Sequence, residues 1–81
     1  MVPVVLRRDG FRFFFYANEG HPPERPHIHV RKAGMEAKFW LEPEVQLARN
    51  DGFDSPTLRL LARMTEEARE ELERAWHAYF S

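Results

Sequence analysis

Two histidines separated by a single residue, His27 and His29, are the part of this sequence best suited to chemistry. Residues two apart on a β-strand project to the same side, so both imidazoles would face one way. Such a pair can act as general acid and base near neutral pH, or can share a divalent transition metal. A metal requires a third ligand, and the candidates are His21, Glu19 and Glu24 in the preceding loop and His77 near the end of the chain. We take His27 and His29 as the catalytic candidates and His21, His27 and His29 as the metal candidates.

Cationic and aromatic residues are expected beside this pair. Arg31 continues the same side of the strand, and the register derived below adds Arg12, Lys38 and Trp40. Cations suit phosphate groups, and sheet-face aromatics stack on bases in binders of single-stranded RNA. These four residues are the predicted binding set. The alternative to a functional site is structural. The histidines would then be surface residues hydrogen-bonded to their neighbours, and the aromatic residues would cover a second core or a dimer contact.

The predicted elements that position these residues are four or five strands and one long helix, an α+β fold. The strands span about 3–8, 11–16, 27–32, 35–41 and, as a short fifth, 44–48. The two-residue turns Asp9-Gly10 and Ala33-Gly34 make two antiparallel hairpins that pack against the helix. Ser55 before a proline predicts the N-cap of a helix over about 56–80 with one apolar stripe. A kink or second helix at Thr65 is the alternative.

The turns also predict which residues face each other across the hairpins. In the first hairpin Leu6 faces Phe13 and Val4 faces Phe15, which places apolar residues toward the helix. In the second hairpin Lys32 faces Met35, Val30 faces Ala37 and Ile28 faces Phe39. On the opposite side of the sheet the predicted pairs are Arg7–Arg12, Arg31–Glu36, His29–Lys38 and His27–Trp40. The other face is expected to expose Arg7, Arg12, Phe14, Tyr16, His27, His29, Arg31, Lys38 and Trp40.

Length, composition and charge limit the class of protein. The chain has 81 residues, which fit a single domain over 1–81, and no cysteine, which excludes disulfides and thiolate metal sites. It has no apolar run of ~18 residues and no secretory signal pattern, so we expect a cytoplasmic protein without a membrane partner. Residues 1–41 hold seven Lys/Arg against four acidic residues, whereas 42–81 hold five Arg against nine. The basic first half favours an anionic partner.

Five segments together carry a family pattern. They are RFFFYANE at 12–19, HPP at 21–23, PHIHV at 26–30, EAKFWLEP at 36–43 and AWHAYF at 75–80. In this combination the chain resembles domain of unknown function 4160, a family of short bacterial proteins. The resemblance implies a partner, since members often look like partners of a second small domain of unknown function, 2442, in toxin–antitoxin-like pairs. It also marks His21, His27, His29 and His77 as positions of interest.

Three functional hypotheses follow, and the sequence leaves open whether the protein is an enzyme. The leading one is an interaction module of a toxin–antitoxin-like pair that holds a small protein partner, a second copy of itself or RNA on the exposed sheet face, and requires no cofactor. The second is a small ribonuclease in which His27 and His29 act as acid and base while Arg31 or Lys38 stabilises the phosphorane. The third is a protein that binds a divalent transition metal through its histidines.

Overall fold

The computed structural model describes residues 4–17 and 24–80, which form one antiparallel sheet and two helices. The elements are β1 (Val4–Arg8), β2 (Phe11–Phe14), β3 (His27–Lys32), β4 (Met35–Trp40), β5 (Gln46–Asp51), α1 (Ser55–Glu67) and α2 (Arg69–Phe80). The five strands lie in chain order, so the sheet is a meander. The predicted α+β class and antiparallel sheet are confirmed, and the two predicted hairpins are joined through β2 and β3.

Both hairpin turns have positive φ at their two central residues, which Asp9, Gly10 and Gly34 accept readily and Ala33 adopts at a steric cost. Asp9 and Gly10 have φ of 53° and 81°, and Ala33 and Gly34 have φ of 51° and 80°. Positive φ at both central positions is what a type I′ turn requires, and its twist matches that of the strands it joins. The β3–β4 register follows from the second turn, and all six pairs from Lys32–Met35 to His27–Trp40 are paired as predicted.

One register prediction is wrong, at the outer end of β1. Leu6 lies opposite Phe13 as expected, but Val4 lies opposite Phe14 instead of Phe15. The register shifts between Val4 and Leu6, which is a β-bulge with one extra residue on β1. Alternation of apolar residues cannot reveal this extra residue. The second strand accordingly ends at Phe14, two residues before the predicted end.

The core lies between one sheet face and the two helices. Its fully buried sheet residues include Phe13, Ile28 and Phe39, as the predicted apolar face requires. The helices contribute Leu61, Met64, Leu72 and Trp76, and Ala68 between the two helices is buried as well. No helix in the described ranges has the length and apolar character needed to cross a lipid bilayer.

The prediction of a single C-terminal helix is wrong. The helical segment is divided at Ala68, whose φ of −97° and ψ of 8° end α1, and α2 begins at the next residue. The break is not at Thr65, which is buried inside α1 with its hydroxyl donating to the Leu61 carbonyl at 2.7 Å. The apolar stripe continues through the break, so the sequence pattern contains no signal for it. Packing of the buried Ala68 against the core accompanies the change in backbone.

The fifth strand also departs from its prediction. It spans Gln46–Asp51 instead of 44–48, and it pairs with β4 from Trp40 to Glu36. Every residue of β5 is exposed because it is an edge strand with no layer covering it. An exposed strand has no apolar alternation, so its bounds cannot be read from hydropathy.

The N-cap of α1 is Asp54, where the sequence predicted Ser55. The Asp54 carboxylate accepts a hydrogen bond from the Thr57 backbone N–H at 2.9 Å. Hydrogen bonding by the Thr57 side chain, together with this backbone bond, lowers the pKa of Asp54 below its ordinary value of 3.8. We therefore expect Asp54→Ala to lower the melting temperature by several degrees at neutral pH, and Ser55→Ala to change it little.

The effect should depend on pH in a defined direction. Because the pKa of Asp54 is lower in the folded than in the unfolded chain, its contribution to stability is complete above the unfolded pKa and is lost as the pH falls through the folded pKa. Thermal melts of the wild type and both variants at about pH 7 and about pH 2 measure this. An Asp54→Ala deficit that persists unchanged in acid would contradict the assignment.

Candidate functional site

Side chains that the sequence predicted to share one face lie in rows across the strands. The face opposite the core carries a row of directly paired residues, which we call the charged row: Arg7, Arg12, Arg31, Glu36 and Asp51. The adjacent row contains Phe14, His29, Lys38 and Arg49. We call this side of the sheet the outer face. Residues directly opposite on neighbouring strands project to the same side, so each row brings its members into contact.

A buried carboxylate, that of Glu36, connects the two rows. Its residue is 8% exposed, and the Tyr16 hydroxyl donates to it at 3.3 Å. One Glu36 oxygen lies 3.1 Å from the Arg31 guanidinium, and the other lies 3.2 Å from His29 Nδ1 and 3.6 Å from the Arg49 guanidinium. A buried charge is tolerated when it is paired and hydrogen-bonded in this way. Glu36 therefore organises the centre of the outer face.

Sequence reasoning identified Glu36 only as the cross-strand partner of Arg31. The available signal was its place in the predicted register, opposite Arg31 and two residues from Lys38 on β4. Nothing in that register indicated that Tyr16, His29 and Arg49 would meet the same carboxylate. Those contacts depend on how β2 and β5 pair with the central hairpin.

The expected exposure of His29 is wrong. The residue is 3% exposed, and its ring stacks on Phe14 with centroids 5.5 Å apart. The Tyr16 ring meets it edge-on at 4.7 Å. The imidazole is therefore held by two aromatic rings and the Glu36 carboxylate, with almost no surface left for a substrate.

The expected exposure of His27 is wrong as well. The residue is fully buried, and its ring lies 4.7 Å from Trp76 of α2 and 5.7 Å from Trp40 of β4. Its Nδ1 donates to the Arg25 carbonyl at 2.9 Å, which places the proton on that nitrogen. The two imidazoles are 5.2 Å apart, so they are neighbours as predicted. The catalytic role of His27 and His29 stays a prediction, and both residues are buried in the fold.

Only some of the predicted metal ligands lie among the residues that the structure describes. His21 and Glu19 lie outside the described residues. Within the ranges 4–17 and 24–80, the group of His, Asp and Glu side chains close enough to hold a metal contains Glu42, Glu73 and His77, and neither His27 nor His29 belongs to it. Metal binding by His21, His27 and His29 therefore stays a prediction.

Arg7 and Arg12 are two exposed cations of the charged row. They face each other across β1 and β2, and Arg12 faces Arg31 across β2 and β3. In the described part of the chain Arg31 pairs with Glu36, whereas neither Arg7 nor Arg12 forms an ion pair. A cavity of about 180 Å³ adjoins Arg12 and is lined by Val4, Arg12, Phe14, Tyr16 and Arg31. Like charges placed directly opposite are destabilising, so this site favours an anion.

Lys38 and Trp40, the other predicted binding residues, are engaged within the protein. The Lys38 ammonium lies 4.4 Å from the Trp40 ring centroid and 3.4 Å from a Glu24 carboxylate oxygen. The Arg25 guanidinium lies 4.2 Å from the same ring. A base stacking on Trp40 would compete with these cations for the ring. The outer face therefore offers free cations more readily than free aromatic rings.

A second group of titratable side chains, which we call the carboxylate–histidine cluster, comprises Glu42, Glu73 and His77. His77 Nε2 lies 3.1 Å from a Glu42 oxygen. A hydrogen bond between the two carboxyl groups lowers the pKa of Glu42, as does the bond to His77, and it raises the pKa of Glu73. His77 thus contacts the segment between β4 and β5, and not the histidines of β3.

The fold and the site define a class: a small α+β protein with an antiparallel meander, covered by helices on one face and carrying an arginine-rich outer face. The family model for the domain of unknown function DUF4160 matches residues 10–77. The chain belongs to this family, as its resemblance indicated. The match includes Arg12, Arg31 and Glu36 and the whole carboxylate–histidine cluster. No curated protein matches the chain, and no solved structure does.

Proposed function

We propose that this chain is an interaction module of a toxin–antitoxin-like pair that binds the phosphate backbone of single-stranded RNA on its outer face. The observation that carries the RNA proposal is the run of adjacent arginines in the charged row, Arg7, Arg12 and Arg31. Their mutual repulsion is relieved when phosphate oxygens accept bonds from neighbouring guanidinium groups. The membership of a pair follows from the family resemblance alone.

The spacing of the arginines suits an extended anion. Neighbouring strands lie about 4.8 Å apart, so Arg7 and Arg31, two strands apart, are separated by roughly 10 Å at the backbone. The adjoining cavity is lined by Tyr16 and by apolar surface from Val4 and Phe14. An RNA strand crossing the sheet along the row could place a phosphate at the arginines and a sugar or base edge in the cavity.

The distribution of charge directs an anion to this face. The outer face carries five cations, which are Arg7, Arg12, Arg31, Lys38 and Arg49. The carboxylates that contact them belong to Glu24, Glu36 and Asp51. The chain as a whole has a formal net charge of −1. Attraction of an anion is therefore local to the outer face.

A ribonuclease is less well supported by the geometry. A general acid or base must reach the reacting group within hydrogen-bond distance, either directly or through one water. His27 and His29 are 0% and 3% exposed, so a phosphodiester on the outer face cannot approach their nitrogens without rearrangement. Binding without turnover is the function that this arrangement favours.

The test is fluorescence anisotropy of a labelled single-stranded RNA with the wild type, Arg12→Glu and Arg63→Glu. Both substitutions change the net charge equally, but Arg63 is exposed on α1, away from the sheet face. We expect Arg12→Glu to weaken binding about tenfold or more, and Arg63→Glu about twofold or less because distant surface charges are screened. Arg12→Ala should also reduce the slope of log affinity against log salt by about 0.7.

Equal losses in Arg12→Glu and Arg63→Glu would show that the outer face is not the binding surface. Failure of the folded wild type to bind RNA at low salt would contradict the RNA proposal. A protein partner would then be the remaining proposal for the outer face. The same RNA is run on a denaturing gel. Cleavage by the wild type that disappears in His29→Ala would replace a binding module with an enzyme.

A further inference from the structure

Three metal-ligating side chains converge at the C-terminal half of α2. Glu73 and His77 are four residues apart on this helix and so lie on one face of it. Glu42 reaches them from the segment between β4 and β5. One oxygen from each glutamate and one nitrogen of His77 all lie within 4.8 Å of one another. The cluster therefore combines an imidazole with two carboxylates from separate parts of the chain.

The distances and the donor types fit a small divalent ion. A tetrahedral ion with bonds of about 2.0–2.1 Å holds neighbouring ligand atoms roughly 3.3 Å apart. His77 Nε2 and the Glu42 oxygen are already 3.1 Å apart, so modest side-chain rotation would bring the Glu73 oxygen into place. Nitrogen together with carboxylate oxygen suits Zn²⁺ and similar transition metals, whereas Mg²⁺ and Ca²⁺ favour oxygen alone.

Arg69 contacts both parts of the chain that carry the cluster, which are α2 and the segment between β4 and β5. Its Nε lies 2.8 Å from one Glu73 oxygen, and its terminal nitrogen donates to the Pro43 carbonyl at 2.8 Å. Pro43 follows Glu42 directly, so a single guanidinium connects the helix and the segment that carry the ligands. Hydrogen-bonded partners of this kind orient the ligands in metal sites. The surface beside Glu73 and His77 is an open cavity, which provides an entry path.

We propose that Glu42, Glu73 and His77 bind one divalent transition-metal ion of the Zn²⁺ class, with water completing the coordination. The bound ion joins α2 to the segment between β4 and β5. A chain of this length without disulfides gains stability from such a connection. The metal site is separate from the outer face, so metal binding and RNA binding can be tested independently.

The test is isothermal titration calorimetry of the full chain with Zn²⁺, with Mg²⁺ as a comparison ion. The variants are His77→Ala and Glu73→Gln, and the matched control is Glu71→Gln, an exposed residue of α2 outside the cluster. We expect one Zn²⁺ per wild-type chain, binding at least about tenfold weaker in His77→Ala and Glu73→Gln, and no change in Glu71→Gln. Zn²⁺ should raise the melting temperature of the wild type and the control but not of His77→Ala.

Several results would overturn the proposal. One is the absence of Zn²⁺ binding by the wild type, and another is equal binding by His77→Ala. A His21→Ala variant is titrated as well, and loss of binding there with retention in His77→Ala would assign the metal to the first half of the chain. Mg²⁺ binding tighter than Zn²⁺ binding would reject the metal class. Since His77 is 61% exposed at its side chain, circular dichroism should show that the variants fold.

Discussion

Replacing Trp76 with alanine should destabilise the protein by about 3–5 kcal/mol, the largest effect that we expect from one substitution. Trp76 is 4% exposed, and its ring contacts Phe15, His27 and Phe80 with centroids 4.3 to 5.5 Å apart. Truncation removes the packing between α2 and the sheet and leaves a cavity beside His27. The expected loss is a large share of the 5–15 kcal/mol that stabilises a typical domain.

Equilibrium unfolding in urea, followed by far-ultraviolet circular dichroism, measures this loss. Tyr79→Ala is the matched control, because Tyr79 also contacts Phe15 and Phe80 but is 41% exposed and should cost less. If Trp76→Ala does not fold, Trp76→Phe provides a milder change that should still cost more than about 1 kcal/mol. A Trp76→Ala variant as stable as Tyr79→Ala would contradict the packing described for α2.

The second large effect is expected at Glu36. Removing one partner of a buried ion pair costs about 3–5 kcal/mol when the other partner cannot reach water. Here the Arg31 and Arg49 side chains are 45% and 58% exposed and can be solvated again, whereas the His29 side chain, 4% exposed, cannot. We therefore expect Glu36→Ala to lower the free energy of unfolding by about 2 kcal/mol.

Asp51→Ala is the matched control for Glu36→Ala. It removes the same charge from the same row, but the Asp51 side chain is 61% exposed and pairs with Arg49 at the surface. Such pairs contribute about 0–1 kcal/mol, so urea unfolding should show a clearly smaller loss than for Glu36→Ala. Equal losses would mean that Glu36 does not organise the outer face. On the proposed function, the folded Glu36→Ala protein should also bind RNA more tightly, because two arginines lose a carboxylate that competes with phosphate.

Local features of the sequence determined much of this fold. Both two-residue turns, the pairing of β3 with β4 and the apolar face of the sheet could be predicted, because each depends on residues close together in the chain. Asp9, Gly10 and Gly34 accept positive φ readily, whereas Ala33 adopts it at a steric cost within a two-residue turn completed by Gly34. Alternation in β3 and β4 then allows only one register that buries Ile28 and Phe39. The arginine pair Arg7–Arg12 followed from the same reasoning.

Only the tertiary structure decided which groups are buried and which are brought together. His27 looks like an exposed strand residue until Trp76 of α2 packs against it. The Glu36 site requires β2 and β5 to bring Tyr16 and Arg49 to one carboxylate. Glu42 and His77 are 35 positions apart in the chain, and their contact exists because α2 packs beside the β4–β5 segment. Burial and long-range contacts depend on how whole elements pack, which local residue patterns do not encode.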